Sequence, residues 1–532
     1  MPIANELLRQ GRYEELWQMC CGFLKLDINQ FMDIQRNLLL EQLALLNNSP
    51  LANKVMRGAR PRTVEEFRRL VPLTTYDDYY EDLSKKKEDI LPVLPALWAH
   101  TSGKTDNYPR KWVPITEEYV QKLSTILYGV GMLSCCQRWG DTSRIPDKAK
   151  LLYSVAPKPY ISGTFADILR RQTPLYYMPT IEESEHLNFE ERLKLGFNMA
   201  MSQGIDYFFG LSLVLVMVGD KFRQSSKGMS LRPFLLHPRA LWRFARGLIR
   251  SRKEGRSLLP KDLWTLKGII GSGVDSWIYK DKIQEYWGRP PLDLYSCTEG
   301  GVIATQTWDY TGMTFLPDLN FLEFIPEDEY IKWQMDHSYI PETILLDEVE
   351  EGQIYEIVLT NFHGGTLIRY RIGDMIRIVG LRNDNLNIEI PQMVFERRTD
   401  DTLDFVVVKL TEKKIWQAIE RSGIAYEDWV AYKNPGESVL HLLIEPKAEL
   451  EGNETKMLAV LHNQLVILGK SNYDASGIPE DWRNGLNFSV DITFLPRGTF
   501  ADYTARKQSE GADPAHLKPN HVNPPDKELS IL

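Results

Sequence analysis

The chain has 532 residues, 43% of them hydrophobic and 25% charged, with a formal net charge of −9. That length implies roughly two to four folding units and a full-size core that needs no disulfide or metal to hold it. The acidic balance argues against a nucleic-acid-binding face. The five cysteines (Cys20, Cys21, Cys135, Cys136 and Cys297) form no disulfide framework and no CxxC spacing, which points to a reducing cytosol.

In chain order, MPIANELLRQGRYEELW is charged and amphipathic and lacks the apolar core of a signal peptide. Leucines at helical spacing make IQRNLLLEQLALLNN a helix that Asn-Asn-Ser-Pro ends. In RTVEEFRRLVP, Thr63 is the predicted N-cap, Glu66 would complete a capping box, and Val71-Pro72 stops the helix. From about residue 95 to 380, strand-like runs (KLLYSV, LDLYSC, QIYEIVLTNF, DMIRIVG) alternate with the helical patterns YVQKLSTILYGVGML and DSWIYKDKIQEYWG. This alternation predicts an α/β unit with sheets covered by helices. The apolar run Tyr207–Gly219 is too short to cross a bilayer and reads as a buried helix or strand. A boundary is expected near FERRTDDTLD (Phe395 to Asp404), followed by the compact α+β pattern DFVVVKL, TEKKIWQAIERSG, VLHLLIEP, ETKMLAVLHNQLVILG and FSVDITFLP. The proline-bearing tail AHLKPNHVNPPDKELSIL is expected to be irregular.

Five short stretches could carry chemistry. TSGKTDNYPRK offers the small residues Ser102, Gly103 and Thr105 beside Lys104, Arg110 and Lys111, the set a polyphosphate needs. It lacks the GxxxxGK[ST] pattern, and alone it reads first as a polar turn. LDLYSCTEGG runs a strand into Tyr295, Thr298 and Glu299, and a strand end is where α/β folds place ligands. There Tyr295 can stack on a base and Glu299 can hold Mg²⁺, or the segment is a plain strand-to-turn junction. In YRIGD, Gly373 permits a tight turn presenting Asp374, either to ribose hydroxyls or to its own turn. Glu396 to Asp401 is a charged run of the kind that usually faces solvent. Lys518, alone near the C-terminus, is by itself an ordinary surface lysine.

The order of these stretches is more specific than any one of them. A Thr-Ser-Gly-x-Thr loop ending in K-x-x-P (Lys111 to Pro114), then Y-x-x-T-E, Y-R-x-G-D, R-x-D and a late lysine resembles the motif order of adenylate-forming enzymes. Within them the chain resembles the acyl-acid amido synthetases first known as plant auxin-responsive proteins, with their bacterial relatives. EEFRRLVPLTTYDDYYEDL and LPRGTFADY followed by HLKP carry that closer likeness. The resemblance implies a large N-terminal domain, residues 1–395, with β-sheets flanked by helices and a helical leading segment over 1–94. It also implies a small mobile α+β C-terminal domain, 396–532.

It further implies that Ser102, Gly103 and Thr105 meet the β- and γ-phosphates of ATP, and that Lys111 closes the phosphate loop. Tyr295 would flank adenine, Thr298 would meet the α-phosphate or acyl carboxylate, and Glu299 would bind Mg²⁺. Asp374 would hold ribose, Arg398 would reach ribose or phosphate, Asp400 would be the hinge, and Lys518 would bridge carboxylate and α-phosphate. Lys104 stands at the loop's usual second Thr/Ser position, Asp106 follows Thr105, and the stretch up to Lys111 is one residue longer than is common in such loops. The implied activity is cytoplasmic, ATP- and Mg²⁺-dependent activation of a small carboxylic acid to acyl-AMP, then transfer to an amine such as an amino acid. No nucleic acid or membrane partner is implied, and the oligomeric state is open. Two rival readings are a CoA ligase of the same superfamily and a homologue that binds ATP and acyl acid with little turnover. Pocket walls are expected from Tyr119, Leu123 and the apolar segment Tyr207–Met217. The nine histidines show no metal-ligand spacing.

Overall fold

The computed structural model describes the chain except residues 1–2, 102–109, 143–147, 188, 225–237, 273–275, 400–401, 405–408, 435–438, 449–453, 470–488, 510–518, 525 and 531. Two compact units result. One comprises the described residues up to Ile372 with Ile376–Phe395, and the other comprises Gly373–Met375 with Glu396–Leu532.

The first unit is built on a mixed sheet of eleven strands. In spatial order they are Asn320–Pro326, Ile354–Asn361, Tyr370–Gly380, Gln392–Arg398, Met313–Phe315, Gly301–Thr305, Leu292–Cys297, Gly268–Ser272, Tyr207–Leu211, Lys150–Ser154 and Tyr176–Met178. From Leu292–Cys297 to Tyr176–Met178 the pairing is parallel. Strands Leu292–Cys297 and Gly301–Thr305 instead pair antiparallel. The sheet therefore changes character at the short turn Thr298–Gly300, at the carboxyl end of a parallel strand, where open α/β sheets take their ligands.

Among the helices, Glu117–Leu133 and Ile161–Leu169 matter most for the site. Thr116 caps the first, its hydroxyl accepting from the Tyr119 N–H at 3.3 Å. Eleven of that helix's 17 residues are buried, so it lies within the unit rather than on its surface. The expected leading helix spans Ile28–Leu46, with an Asp27–Gln30 capping box at its start. Thr63 caps Val64–Leu70 as predicted, but the box is incomplete: Glu66 accepts from the Arg62 N–H at 2.8 Å instead of from the cap residue. Val71 ends the helix in an extended conformation.

This leading segment is tied to the sheet by Arg369. Its guanidinium forks onto Glu323 at 3.0 and 2.8 Å and donates to the carbonyls of Arg68 and Val71, each at 2.6 Å. Both charged side chains are buried, so each needs the other. Arg369 itself has φ +45°, a conformation that only dense local bonding maintains.

Three expectations change. YRIGD does not form a tight turn: Gly373, at φ +79°, is a kink inside the continuous strand Tyr370–Gly380. A glycine takes that backbone shape without the Cβ penalty, and the strand continues through it. The first residues of the charged run, through Arg398, end a strand rather than form a linker. The segment Tyr207–Met217 is both things at once, strand Tyr207–Leu211 and the start of helix Ser212–Gln224. Among the described residues no helix is long and apolar enough to cross a membrane.

The second unit has its own three-stranded sheet, Tyr426–Tyr432, Val439–Pro446 and Ser489–Phe494, with helices Glu412–Ser422, Glu454–Gly469 and Thr499–Ser509. The first strand was not evident in the sequence, because YEDWVAY alternates only weakly. The tail is less irregular than its prolines suggest. Asn523 donates to the Ala431 carbonyl and Ala431 donates to the His521 carbonyl, so Val522 runs as a short parallel extension of the sheet, and Asp526–Leu529 is helical.

Candidate active site

The turn Thr298–Gly300 is the centre of the site. Thr298 and Glu299 are buried, at 7% and 8% exposure, although both are polar. Two asparagines from neighbouring strands hold their backbone. Asn361 donates to the Glu299 carbonyl at 2.8 Å and to the Asn320 side-chain oxygen at 2.9 Å. Asn320 donates to the Gly300 carbonyl at 2.7 Å. A turn fixed through its carbonyls keeps its side chains aimed without using them for structure. The paired glycines are required by space. A Cβ at Gly300 would lie 2.6 Å from Leu359, and one at Gly301, which has φ +61°, would lie 2.7 Å from the Tyr119 hydroxyl.

Thr298 and Glu299 line a small cavity, about 300 Å³ with the open space at its mouth included, together with Pro114, Thr116, Tyr119 and Ile161. The K-x-x-P end, the T-E pair and the start of the Glu117–Leu133 helix, far apart in sequence, thus meet at one place. Tyr119 faces it as expected. The Tyr370 hydroxyl approaches the Glu299 carboxylate at 3.5 Å. Burial, and then the charge of Glu299, push the Tyr370 phenol well above its ordinary range, so it stays a neutral donor. A buried carboxylate with one long hydrogen bond suits Mg²⁺, which takes one or two carboxylates and completes its shell with phosphate oxygens and water. Among the described residues no group of three or more His, Cys, Asp or Glu forms a metal cage.

Upstream, strands Leu97–His100 and Trp112–Ile115 pair antiparallel. Thr101 and Lys111 continue that pairing, with Thr101 N–H donating to the Lys111 carbonyl at 3.1 Å. The Lys111 ammonium lies 5.7 Å from the Tyr76 ring centre. His100 is wedged edge-on between Trp112 and Tyr160, at 4.8 and 4.4 Å. Burial lowers its pKa, so it is a neutral packing group. Tyr295 is buried at 7% exposure, its ring 6.2 Å from Phe395.

In the second unit, Asp374 and Arg398 come together: the guanidinium lies 3.3 Å from the carboxylate. The Thr399 N–H donates to the Gly373 carbonyl at 2.8 Å, holding Arg398 beside the kinked strand. Ser102, Gly103, Thr105, Asp400 and Lys518, with Lys104 and Asp106, lie outside the described residues. The residues missed in the sequence are Asn320, Asn361 and Thr116. Asn320 and Asn361 bond to backbone across strands, which nothing in a lone NF string signals; Thr116 is a helix cap, which the Thr before Glu117 and Glu118 could have signalled.

Residues 21–154 match the GH3 family N-terminal domain, and residues 313–398 match the GH3 family central domain. Jasmonoyl–L-amino acid synthetase GH3.5 of Oryza sativa subsp. japonica is 34% identical over 289 residues, covering 50% of this chain and 47% of that protein. Jasmonoyl–L-amino acid synthetase JAR4 of Nicotiana attenuata is 28% identical, covering 50% and 45%. The chain thus spans about half the length of the curated relatives it matches. Among solved structures, the GH3.15 acyl acid amido synthetase in complex with 2,4-DB superposes with a TM-score of 0.66 at 15% identity, over 94% of this chain and 93% of that one. A 2-hydroxyisobutyryl-CoA ligase in its postadenylation state gives 0.60 at 14% identity, over 96% and 91%. The fold is shared with both.

Proposed function

We propose that this chain, whose residues 21–154 and 313–398 match the GH3 family N-terminal and central domains, is an acyl-acid amido synthetase of that family. The observation that carries this reading is the cavity where Thr298 and Glu299 meet Pro114, Thr116 and Tyr119.

The chemistry follows from what a carboxylate lacks. It is a poor electrophile, and attack of its oxygen on the α-phosphorus of ATP forms a P–O bond, expels pyrophosphate and leaves acyl-AMP. An amine nitrogen then attacks the carbonyl carbon, an amide forms, and AMP leaves with the amine's proton lost to solvent. The first step needs positioning and charge neutralisation more than covalent help. Thr298 donates to the α-phosphate or acyl carboxylate in this reading. Glu299 is the Mg²⁺ ligand, and a bound Mg²⁺ supplies charge neutralisation at the phosphates. Ser102, Gly103, Thr105 and Lys111 form the phosphate loop, Tyr295 flanks adenine, and Asp374 with Arg398 holds ribose. Residues 1–395 form the substrate-binding domain. Residues 396–532 form a mobile domain that turns about Asp400, bringing Lys518 to the reacting oxygens for the first step and withdrawing it for the second. The small acid and an amino acid are the partners, and the setting is the cytoplasm.

The test is ATP–pyrophosphate exchange with a panel of carboxylic acids and Mg²⁺, followed by addition of amino acids or CoA. Acid-dependent exchange and amide formation with AMP release support the reading. Thioester formation with CoA alone would make the protein a CoA ligase. ATP binding without exchange for any acid would make it a binding protein.

A further inference from the structure

A second cavity lies in the first unit, about 750 Å³ with the open space at its mouth included. Its walls include Leu127 and Gly131 of the Glu117–Leu133 helix, Phe165 and Leu169 of the Ile161–Leu169 helix, and Phe209 and Leu294 of the sheet. No charged side chain is among its described lining residues; the polar groups are the hydroxyls of Tyr128, Tyr207 and Thr173.

The two cavities are strung along the same elements. On the first helix Tyr119 lines the small cavity and Leu127 the large one, with buried Leu123 between them on the same face. On the second helix Ile161 lines the small cavity and Phe165, one turn on, the large one. On the sheet, Leu294 faces the large cavity, and four residues later Thr298 faces the small one. The four residues from Ile161 to Phe165 rise about 6 Å, and the eight from Tyr119 to Leu127 span about 12 Å.

We propose that the large cavity is the tail chamber of the acyl-acid site, and that the substrate class is carboxylic acids with a long, unbranched apolar tail. This rests on the reading of Thr298–Glu299 as the site of carboxylate activation. The carboxylate sits at that turn, the chain passes Leu123 by a rotamer change of that side chain, and the tail ends against Leu127, Gly131 and Phe165. A span of about 12 Å accommodates roughly eight to ten carbons beyond the carboxyl group. The absence of charge on the described walls excludes tails ending in an ionised group.

Gly131 supplies a clean probe, because a Cβ built there meets nothing within 4 Å. Gly131→Leu starts its side chain in open space at the chamber wall, so its Cβ displaces no neighbour. The experiment measures binding of hexanoate, octanoate, decanoate and dodecanoate to the full chain by calorimetry, with pyrophosphate exchange run in parallel. Affinity should rise about fourfold per methylene buried, then level off near ten carbons. Gly131→Leu should bring that plateau to shorter chains while leaving hexanoate binding unchanged, which also reports an intact fold. Binding that does not depend on chain length, or a variant that weakens hexanoate and decanoate equally, overturns the chamber. Exchange with short acids but no length dependence removes the chamber and leaves the activity reading standing. Length-dependent binding with no exchange for any acid keeps the chamber and removes the activity reading.

Discussion

Replacing His521 by glutamine should weaken the docking of residues 519–524 in a way that depends on pH. His521 is 4% exposed by side chain and sits between two carboxylates. Its Nε2 meets Asp428 at 2.7 Å and its Nδ1 meets Glu412. The ring stacks on Trp429 at 4.6 Å and 12°. Burial alone would lower its pKa, but Asp428 and Glu412 overcome it and push it up to about 9 from the ordinary 6.5. A group raised in the folded state stabilises fully below its unfolded pKa and loses that contribution as pH climbs through the folded value. The window is therefore 6.5 to about 9. That interval corresponds to about 3 kcal/mol at face value. Because the two carboxylates are 26% and 25% exposed, water screens the pair, and about 2 kcal/mol is the working expectation.

Hydrogen exchange at the Ala431 amide, which donates to the His521 carbonyl at 2.6 Å, reads this docking locally. After correction for intrinsic rates, wild type should be protected about thirtyfold more than His521→Gln near pH 6. The gap should close as pH rises past about 9, where the imidazole is neutral. A gap that stays constant across the range would mean that packing on Trp429, and not charge, holds the segment, and would refute the electrostatic argument.

Other substitutions test the site. Gly301→Ala should cost about 1–3 kcal/mol of stability from its left-handed backbone and its clash with Tyr119, measured by thermal unfolding. Adding Tyr119→Phe should recover the part due to the 2.7 Å hydroxyl contact. Asn361→Leu removes the donor to the Glu299 carbonyl; exchange activity should fall about tenfold to a hundredfold while ATP is still bound. Lys518→Ala should suppress acyl-AMP formation and spare transfer from preformed acyl-AMP; equal loss in both half-reactions would remove the domain-rotation assignment. Arg369→Met removes the forked partner of buried Glu323 and leaves it only the longer Arg68 contact at 3.7 Å; it should cost about 3 kcal/mol, read by chemical denaturation.

What the sequence revealed depended on whether the signal was local. The leading helix was legible because its leucines repeat at helical spacing, and LDLYSC because a short apolar run ends at a turn with two glycines. The site's ordering of motifs was legible for the same reason. The bonds that aim Glu299 were not, because Asn320 and Asn361 act across strands and carry no local pattern. The role of Gly373 was misread because a positive φ is as compatible with a kinked strand as with a turn, and only strand pairing decides between them. The docked tail was hidden by its prolines: Pro519 and Pro524 flank the two amide and carbonyl contacts that matter without interrupting them. The strand Tyr426–Tyr432 was hidden because its polar residues, Glu427 and Asp428, occupy adjacent positions.

The central claim is that the acid is activated through the α-phosphorus of ATP. A supported acid labelled with ¹⁸O in its carboxylate tests it directly, with an amino acid as acceptor and mass spectrometry of the nucleotide and phosphate products. The account predicts one labelled oxygen in AMP and none in pyrophosphate, because the attacking carboxylate oxygen stays on phosphorus when the amide forms. Label in inorganic phosphate with release of ADP, or amide formation with unlabelled AMP, would contradict it.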